Sequence, residues 1–234
     1  MAGNIYESDE LLSQYLLFHY GSASEQMPYE SGPLAALYYP MRCVQEALRA
    51  GGQPAPKRAL DLGCAVGGAS FELSRTCEEV VGIDLSASFI EAAQTLQKEG
   101  ILSYQRKDEG ELATGLEAKI PDEVDRTKVR FEVGDACALS DKLGTFDLVL
   151  MANLIDRLPR PADCLRRLKD IVEPEGLLAI TSPYTWMREF TPKANWLGGR
   201  QEVGESIKTP EGLNWVLGTH FHLLGTKDIP FVIR

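Results

Sequence analysis

The sequence predicts an α/β fold built on a mainly parallel, doubly wound sheet. Three observations carry that prediction. From Lys57 onward, short apolar strands alternate with amphipathic helices; the first strand runs into a glycine-bearing turn; and the second closes on Asp84, with Ser86 ready to cap a helix. Alternation at this spacing requires right-handed crossovers and puts helices on both faces of the sheet.

The elements follow in order. Ser8 can cap a first helix whose leading acids, Asp9 and Glu10, suit its positive end, with Leu12, Tyr15, Leu16 and His19 on one face. Residues 21–32 are small and polar and predict a loop, and a second helix is expected from Pro40 to about Ala50, stopped by Gly51 and Gly52. Residues 58–62, 80–84, 129–133, 146–152 and 177–181 predict five strands, with helices at 69–77, 86–100 and 161–172 between them. Residues 101–128 are polar, with helix-like content at 111–119. Thr209 is expected to cap a helix to about Leu217, and residues 221–224 to form a sixth strand, followed by an apolar extended end. The expectation is one domain over 1–234: a helical segment (1–52), a core sheet (57–182) and an aromatic insertion after the fifth strand (183–208).

Composition narrows the function. Against 24 basic side chains stand 34 acidic ones, a net charge of −10, which repels a phosphate backbone and disfavours nucleic acid as a partner. The densest basic clusters, Arg166, Arg167, Lys169 and Arg126, Lys128, Arg130, each have acidic neighbours. No apolar run reaches the length of a membrane helix, and no basic leader with a cleavage site opens the chain. Five widely spaced cysteines and three scattered histidines indicate neither disulfides nor a metal site. The expected compartment is the cytoplasm.

The turn after the first strand reads Asp61-Leu62-Gly63-Cys64-Ala65-Val66-Gly67-Gly68. A dinucleotide fingerprint would place a second glycine where Ala65 stands, and the Walker Gly-Lys-Ser/Thr is absent. The turn resembles motif I of the Rossmann-like class I S-adenosylmethionine-dependent methyltransferases. That resemblance implies a cofactor site made by Asp61, Gly63, Cys64, Ala65 and Gly67. It also implies Asp84, beside Leu85, for the ribose hydroxyls, and Asp135 and Ala136 for the adenine. S-adenosylmethionine carries a sulfonium and an ammonium, which acidic strand ends accommodate; Arg42 is a candidate for its carboxylate, or else a solvated helix charge.

After the fourth strand comes Asn153-Leu154-Ile155-Asp156-Arg157. Asn153 can contact the methionine portion or the acceptor. Asp156 can orient a ring N–H or act as base, and Arg157 can hold a carboxylate in a fork, unless the two pair with each other. Tyr184, Trp186, Phe190 and Trp196 can furnish a flat pocket. On the first helix, His19, Tyr15 and Tyr20 could set the acceptor's tautomer, the helix acting as a lid; packing alone is the other reading of His19.

The string from Tyr6 to Gly21, Tyr39-Pro-Met-Arg-Cys43, Asn153-Leu-Ile-Asp-Arg157, Thr181-Ser-Pro-Tyr-Thr-Trp186, Asn195-Trp-Leu-Gly-Gly199 and Pro230-Phe-Val-Ile-Arg234 resemble the ovothiol-pathway methyltransferases over nearly the whole chain. These occur alone or as the C-terminal domain of an iron-dependent sulfoxide synthase, a domain absent here. The resemblance implies methyl transfer from S-adenosylmethionine to the imidazole π nitrogen of 5-thiohistidine, giving ovothiol A, with such a synthase as functional partner. Two alternatives stay open: another small-molecule acceptor, or a non-catalytic cofactor-binding module of a synthase complex.

Overall fold

The computed structural model describes residues 5–52, 54–202 and 204–234. Helix α1 (Asp9–Tyr20) starts where Ser8 accepts a hydrogen bond from Leu11 N, and a short α2 (Ala23–Gln26) follows within the expected loop, nucleated by a Ser22–Glu25 capping box. Then come α3 (Tyr39–Gly51), β1 (Arg58–Leu62), α4 (Gly68–Leu73), β2 (Glu79–Asp84) and α5 (Ala87–Glu99). The chain continues through β3 (Ile101–Glu109), β4 (Leu112–Lys119), β5 (Val129–Val133), β6 (Phe146–Ala152), α6 (Pro161–Arg167) and β7 (Val172–Thr181). It ends with β8 (Arg200–Glu202), β9 (Glu205–Ile207) and α7 (Thr209–Leu217).

Strands pair in the order β5-β2-β1-β6-β7, all parallel. Successive residues point to opposite faces. Ala59, Val80, Val129 and Leu148 join α1, α3, α4 and α5 in one core, while Leu60, Val81, Val149 and Met151 join α6 and α7 in the other. Both cores are sealed, which is why the strands read as nearly continuous apolar runs. No helix of the described residues is long and apolar enough to cross a membrane.

Four expectations need correction. Residues 111–119 are not helical: β3 and β4 form an antiparallel hairpin turning at Gly110, whose φ is 56°. The alternation of Leu102 with Tyr104, and of Leu116 with Ala118, puts one face of the hairpin on the core, and this period of two outweighs the helix-favouring Glu, Leu, Ala and Lys content. The fifth strand begins earlier than residue 177, at Val172, because its register shifts between Phe146 and Leu148 opposite the irregular Glu173–Gly176 stretch, where Glu175 has φ 63°. Thr209 is the first residue of α7 rather than its cap, a place taken by Lys208.

Finally, residues 221–224 form no strand. Leu223 and Leu224 are exposed, and β7 remains the sheet's edge. The end of the chain instead crosses α1 and α3. Ile229, Phe231 and Ile233 pack on the first core, and the Phe231 ring lies 4.9 Å from that of Tyr39.

All five cysteines are reduced; Cys137 is half-buried and the other four are buried. Burial pushes the thiols of Cys43 and Cys77 up to about 11 and that of Cys164 to about 12, and raises Cys64 and Cys137 as well.

Candidate active site

Strand order reverses between β1 and β6, so the loops leaving these two strands diverge over the carboxyl edge and open a crevice. The first loop is wound tightly: Gly63, Ala65 and Gly67 have φ of 78°, 48° and 86°. Ala65 bears a left-handed conformation that costs an L-residue about 1 kcal/mol. Its N–H is fixed by Asp84, whose Oδ2 accepts it at 2.9 Å while Oδ1 accepts Ser86 N at 2.9 Å. Asp84 thereby sits at the end of β2, joined to the loop from β1. Burial raises its carboxyl, partly offset by those backbone donors. Gly63 has no room for a side chain, since a Cβ there would come 2.9 Å from Leu154 Cδ1 on the β6 exit. The two loops that flank the crevice therefore touch.

Beneath the loop, Asp61 is 1% exposed and accepts a hydrogen bond from Ser70 Oγ at 2.6 Å. Desolvation pushes its carboxyl up to about 7, against the lowering effect of Ser70. At the end of β5, Gly134 N donates to Asp84 O, and Asp135 Oδ1 accepts Cys137 N at 2.7 Å, closing a turn that buries Ala136. Leu85, between these groups, is 61% exposed.

Across the crevice, Asn153 also adopts a left-handed conformation, φ 53°. Its side chain is anchored by a residue that sequence reasoning passed over: the Tyr39 hydroxyl donates to Asn153 Oδ1 at 2.7 Å and lies 2.7 Å from Thr181 Oγ1. The Asn153 amide nitrogen has no partner among the described residues. The sequence signals for Tyr39 are its place in the Tyr39–Cys43 string that carries the resemblance and its position at the start of a helix that precedes β1.

Asp156 is fully buried and both its oxygens are engaged. Arg157 Nη1 pairs with Oδ2 at 2.8 Å, Thr185 Oγ1 donates to Oδ2 at 2.9 Å and Ser182 Oγ to Oδ1 at 3.0 Å. This is the pairing alternative of the sequence reading, and it leaves Asp156 positioning Arg157 rather than facing an acceptor as a base. The Arg157 guanidinium also lies 4.9 Å from the Phe190 ring centroid, close to the Tyr6 hydroxyl.

Tyr6, a second residue not singled out beforehand, joins the two halves. Its ring meets Phe89 of α5, Tyr15 of α1 and Phe190, each at about 6 Å. Neighbouring Glu7 accepts Ala87 N and Ser88 N, capping α5 next to Asp84. The segment before α1 thus lies across the crevice.

Other expected residues are engaged elsewhere. His19 Nδ1 accepts Gly68 N at 3.1 Å at the start of α4, and desolvation lowers its pKa to about 3. It is a neutral clamp on the cofactor loop, not a proton acceptor at neutral pH. Tyr20 grips the same loop, its hydroxyl donating to Val66 O at 2.6 Å. Tyr15 packs 4.8 Å from Phe89, with its phenol pushed up by burial. Cys64 is a buried filler of the loop. Arg42 donates Nε to Leu37 O and Nη2 to Pro230 O, tying down the end of the chain instead of facing the loop.

The expected aromatic pocket divides. Phe190 borders the crevice and Tyr184 is exposed, but Trp186 is buried in the second core, donates Nε1 to Thr209 Oγ1 and stacks on Trp196. An indole must find a partner for its N–H when buried, and both tryptophans find theirs away from the crevice, Trp196 in Thr191 O.

Comparison with known proteins adds the chemistry. A family described as a methyltransferase domain matches residues 60–180. Norajmaline N-methyltransferase of Rauvolfia serpentina is 31% identical over 147 residues, covering 60% of this chain and 42% of that protein. A ubiquinone biosynthesis O-methyltransferase of Burkholderia orbicola is 24% identical over 191 residues, covering 76% of this chain and 69% of its own. The chain spans less than half the length of the two Rauvolfia N-methyltransferases it matches, 42% and 46%. Among solved structures, the [4+2]-cyclase SpnF shares the fold with TM-score 0.52 at 18% identity, covering 77% of this chain and 57% of that one.

Proposed function

The chain belongs to the methyltransferase domain family, and from that premise we propose that it transfers the methyl group of S-adenosylmethionine to the π nitrogen of 5-thiohistidine, giving ovothiol A. The observation that carries the reading is the crevice itself, with Asp84 held rigidly on one wall and Asn153, Arg157 and Phe190 on the other. Methyl transfer as the reaction class is supported by the family, which spans N- and O-methyltransferases among the relatives. The acceptor is supported by the resemblance of Tyr6–Gly21, the Asn153–Arg157 string and the Thr181–Trp186 string to ovothiol-pathway enzymes.

The residues present fit the cofactor. Asp84 is oriented by two backbone donors and keeps lone pairs for a ribose diol. One Asp135 oxygen is committed to the turn, and the other can take an amino group. Leu85 exposes an apolar face suited to a purine, and the Asn153 amide nitrogen can donate to a carboxylate. When bound, S-adenosylmethionine supplies an electrophilic methyl on a sulfonium.

The protein's own contribution is alignment and exclusion of water. Arg157, held by Asp156 and Thr185, receives the amino-acid carboxylate, and Phe190 with Tyr6 offers flat surfaces for the thioimidazole. A neutral imidazole nitrogen is a competent nucleophile when its proton sits on the other nitrogen, so the reaction needs no strong base, consistent with Asp156 being spent on Arg157. An iron-dependent sulfoxide synthase is the enzyme this reading implies upstream.

The test is incubation of the protein with S-adenosylmethionine and 5-thiohistidine, followed by mass spectrometry. Ovothiol A and S-adenosylhomocysteine are expected in equal amounts. No turnover, or preference for histidine, would overturn the acceptor. A hydroxylated acceptor is the second reading, favoured by the coverage of the ubiquinone O-methyltransferase match, and a catechol in the same panel tests it.

A further inference from the structure

A cavity of about 680 Å³ opens between α6, α7 and residues 194–200, on the second-core side of the sheet. In a chain of net charge −10 its lining has the opposite sign: Arg160, Arg166, Lys169 and Arg200 against a single carboxylate, Asp163. Arg166 and Lys169 belong to one of the basic clusters visible in the sequence, and the fold adds Arg160 and, from a distant segment, Arg200. Asp163 is shared by Arg160 at 3.6 Å and Arg166 at 3.1 Å, and Lys169 makes no ion pair among the described residues. Cations gathered in a concave wall focus the field and raise the local concentration of anions.

The cavity also carries an exposed apolar surface. Trp215 of α7 is 60% exposed on its wall, and Trp196 lines the same cavity. The floor is preformed: Trp196 Nε1 donates to Thr191 O at 2.8 Å, Asn195 Nδ2 donates to Pro159 O at 2.8 Å, and Gly212 is packed so closely on Leu197 that a Cβ would meet its carbonyl at 1.7 Å. A rigid floor spares a ligand the entropy of ordering it.

We propose that this cavity is a second binding site, separate from the methyl-transfer crevice, for a small planar organic anion: its ring on Trp215 and Trp196, its anionic group against Lys169, Arg166 and Arg160. The volume lies in the range of small-ligand pockets, and indole faces paired with cations select a flat, negatively charged body. The same short stretch that supplies Arg160 to this cavity supplies Arg157 to the crevice, bound to the aromatic segment through Thr191 Oγ1 on Leu158 O. The two sites therefore share a wall.

Isothermal titration calorimetry with terephthalate, its neutral diamide and inorganic phosphate tests this without reference to methyl transfer. One terephthalate should bind per chain, more tightly than phosphate, with no saturable binding of the diamide and weakening as salt rises. Arg166→Gln with Lys169→Gln should weaken terephthalate roughly tenfold, and Asp163→Asn, which removes the competing carboxylate, should tighten it. Absence of saturable terephthalate binding, equal binding of the diamide, equal or tighter binding of phosphate, or indifference to both charge changes would overturn the proposal.

Discussion

Replacing Tyr39 by Phe removes one oxygen and should disturb both stability and cofactor binding. The ring is 3% exposed, and its contacts with Phe18 at 5.9 Å and Phe231 at 4.9 Å survive in the variant. What disappears is the hydroxyl, 2.7 Å from both Asn153 Oδ1 and Thr181 Oγ1. Two net hydrogen bonds at about 1 kcal/mol each give a destabilisation of about 2 kcal/mol, which in a domain of this size lowers Tm by roughly 4–8 °C. The Asn153 side-chain oxygen then keeps only its weaker 3.2 Å bond from Thr181, while the backbone still holds φ 53°. Released from that anchor, it should relax away from the crevice, weakening S-adenosylhomocysteine roughly tenfold. Thermal unfolding without ligand and calorimetric titration measure the two effects separately. An unchanged Tm together with an unchanged Kd would refute the reasoning; a lower Tm with unchanged Kd would confine Tyr39 to a structural role.

Three further expectations follow from the same geometry. Asp84→Ala should weaken S-adenosylhomocysteine roughly 100-fold by removing charge-assisted bonds, and equal affinity in parent and variant would contradict the placement of the ribose. Asp156→Asn should lower turnover of the acceptor roughly 10–100-fold, since Arg157 loses the carboxylate that orients it, while cofactor affinity is unchanged; the reverse pattern in steady-state kinetics would assign Asp156 to the cofactor. Asp61 has its carboxyl raised by burial from 3.8 to about 7, so the folded chain holds that proton more tightly than the unfolded one. Its stabilising contribution is complete below about pH 4 and is lost as pH rises through about 7. Asp61→Asn should therefore flatten that part of the profile in urea unfolding at pH 5 and 7.5, and an identical slope in the variant would rule the linkage out.

The parallel core was legible because its signals are local. Strands 58–62, 129–133 and 146–152 coincide with β1, β5 and β6, and Ser86 and Gly100 bracket α5 as capping chemistry requires. Asp84 was legible for the same reason, being the last residue of a strand beside a glycine turn. Side-chain destinations across the molecule were not. The four aromatics of residues 184–196 look alike in sequence, yet two were drawn into the second core by Thr209 and Thr191, partners reached through tertiary contacts. Tyr6 and Tyr39 each open a string that resembles the ovothiol-pathway enzymes, but that likeness assigns them no role, because they meet Arg157 and Asn153 across more than a hundred residues. The hairpin was hidden because helix-favouring composition competed with a two-residue alternation carried by only two core-facing residues on each strand, Leu102 and Tyr104, and Leu116 and Ala118.

The buried thiols have a bearing on life with the proposed product. A thioimidazole that cycles between thiol and disulfide exchanges with protein cysteines at a rate set by their thiolate fraction and by access. With Cys43, Cys77 and Cys164 raised to about 11 or 12 and Cys64 sealed in the cofactor loop, almost no thiolate exists at neutral pH. Half-buried Cys137 is raised too, its Sγ turned to Arg160 O. Burial thus holds these thiols back from mixed-disulfide exchange with a product of the kind proposed, and Cys137 is the position where such exchange would show first.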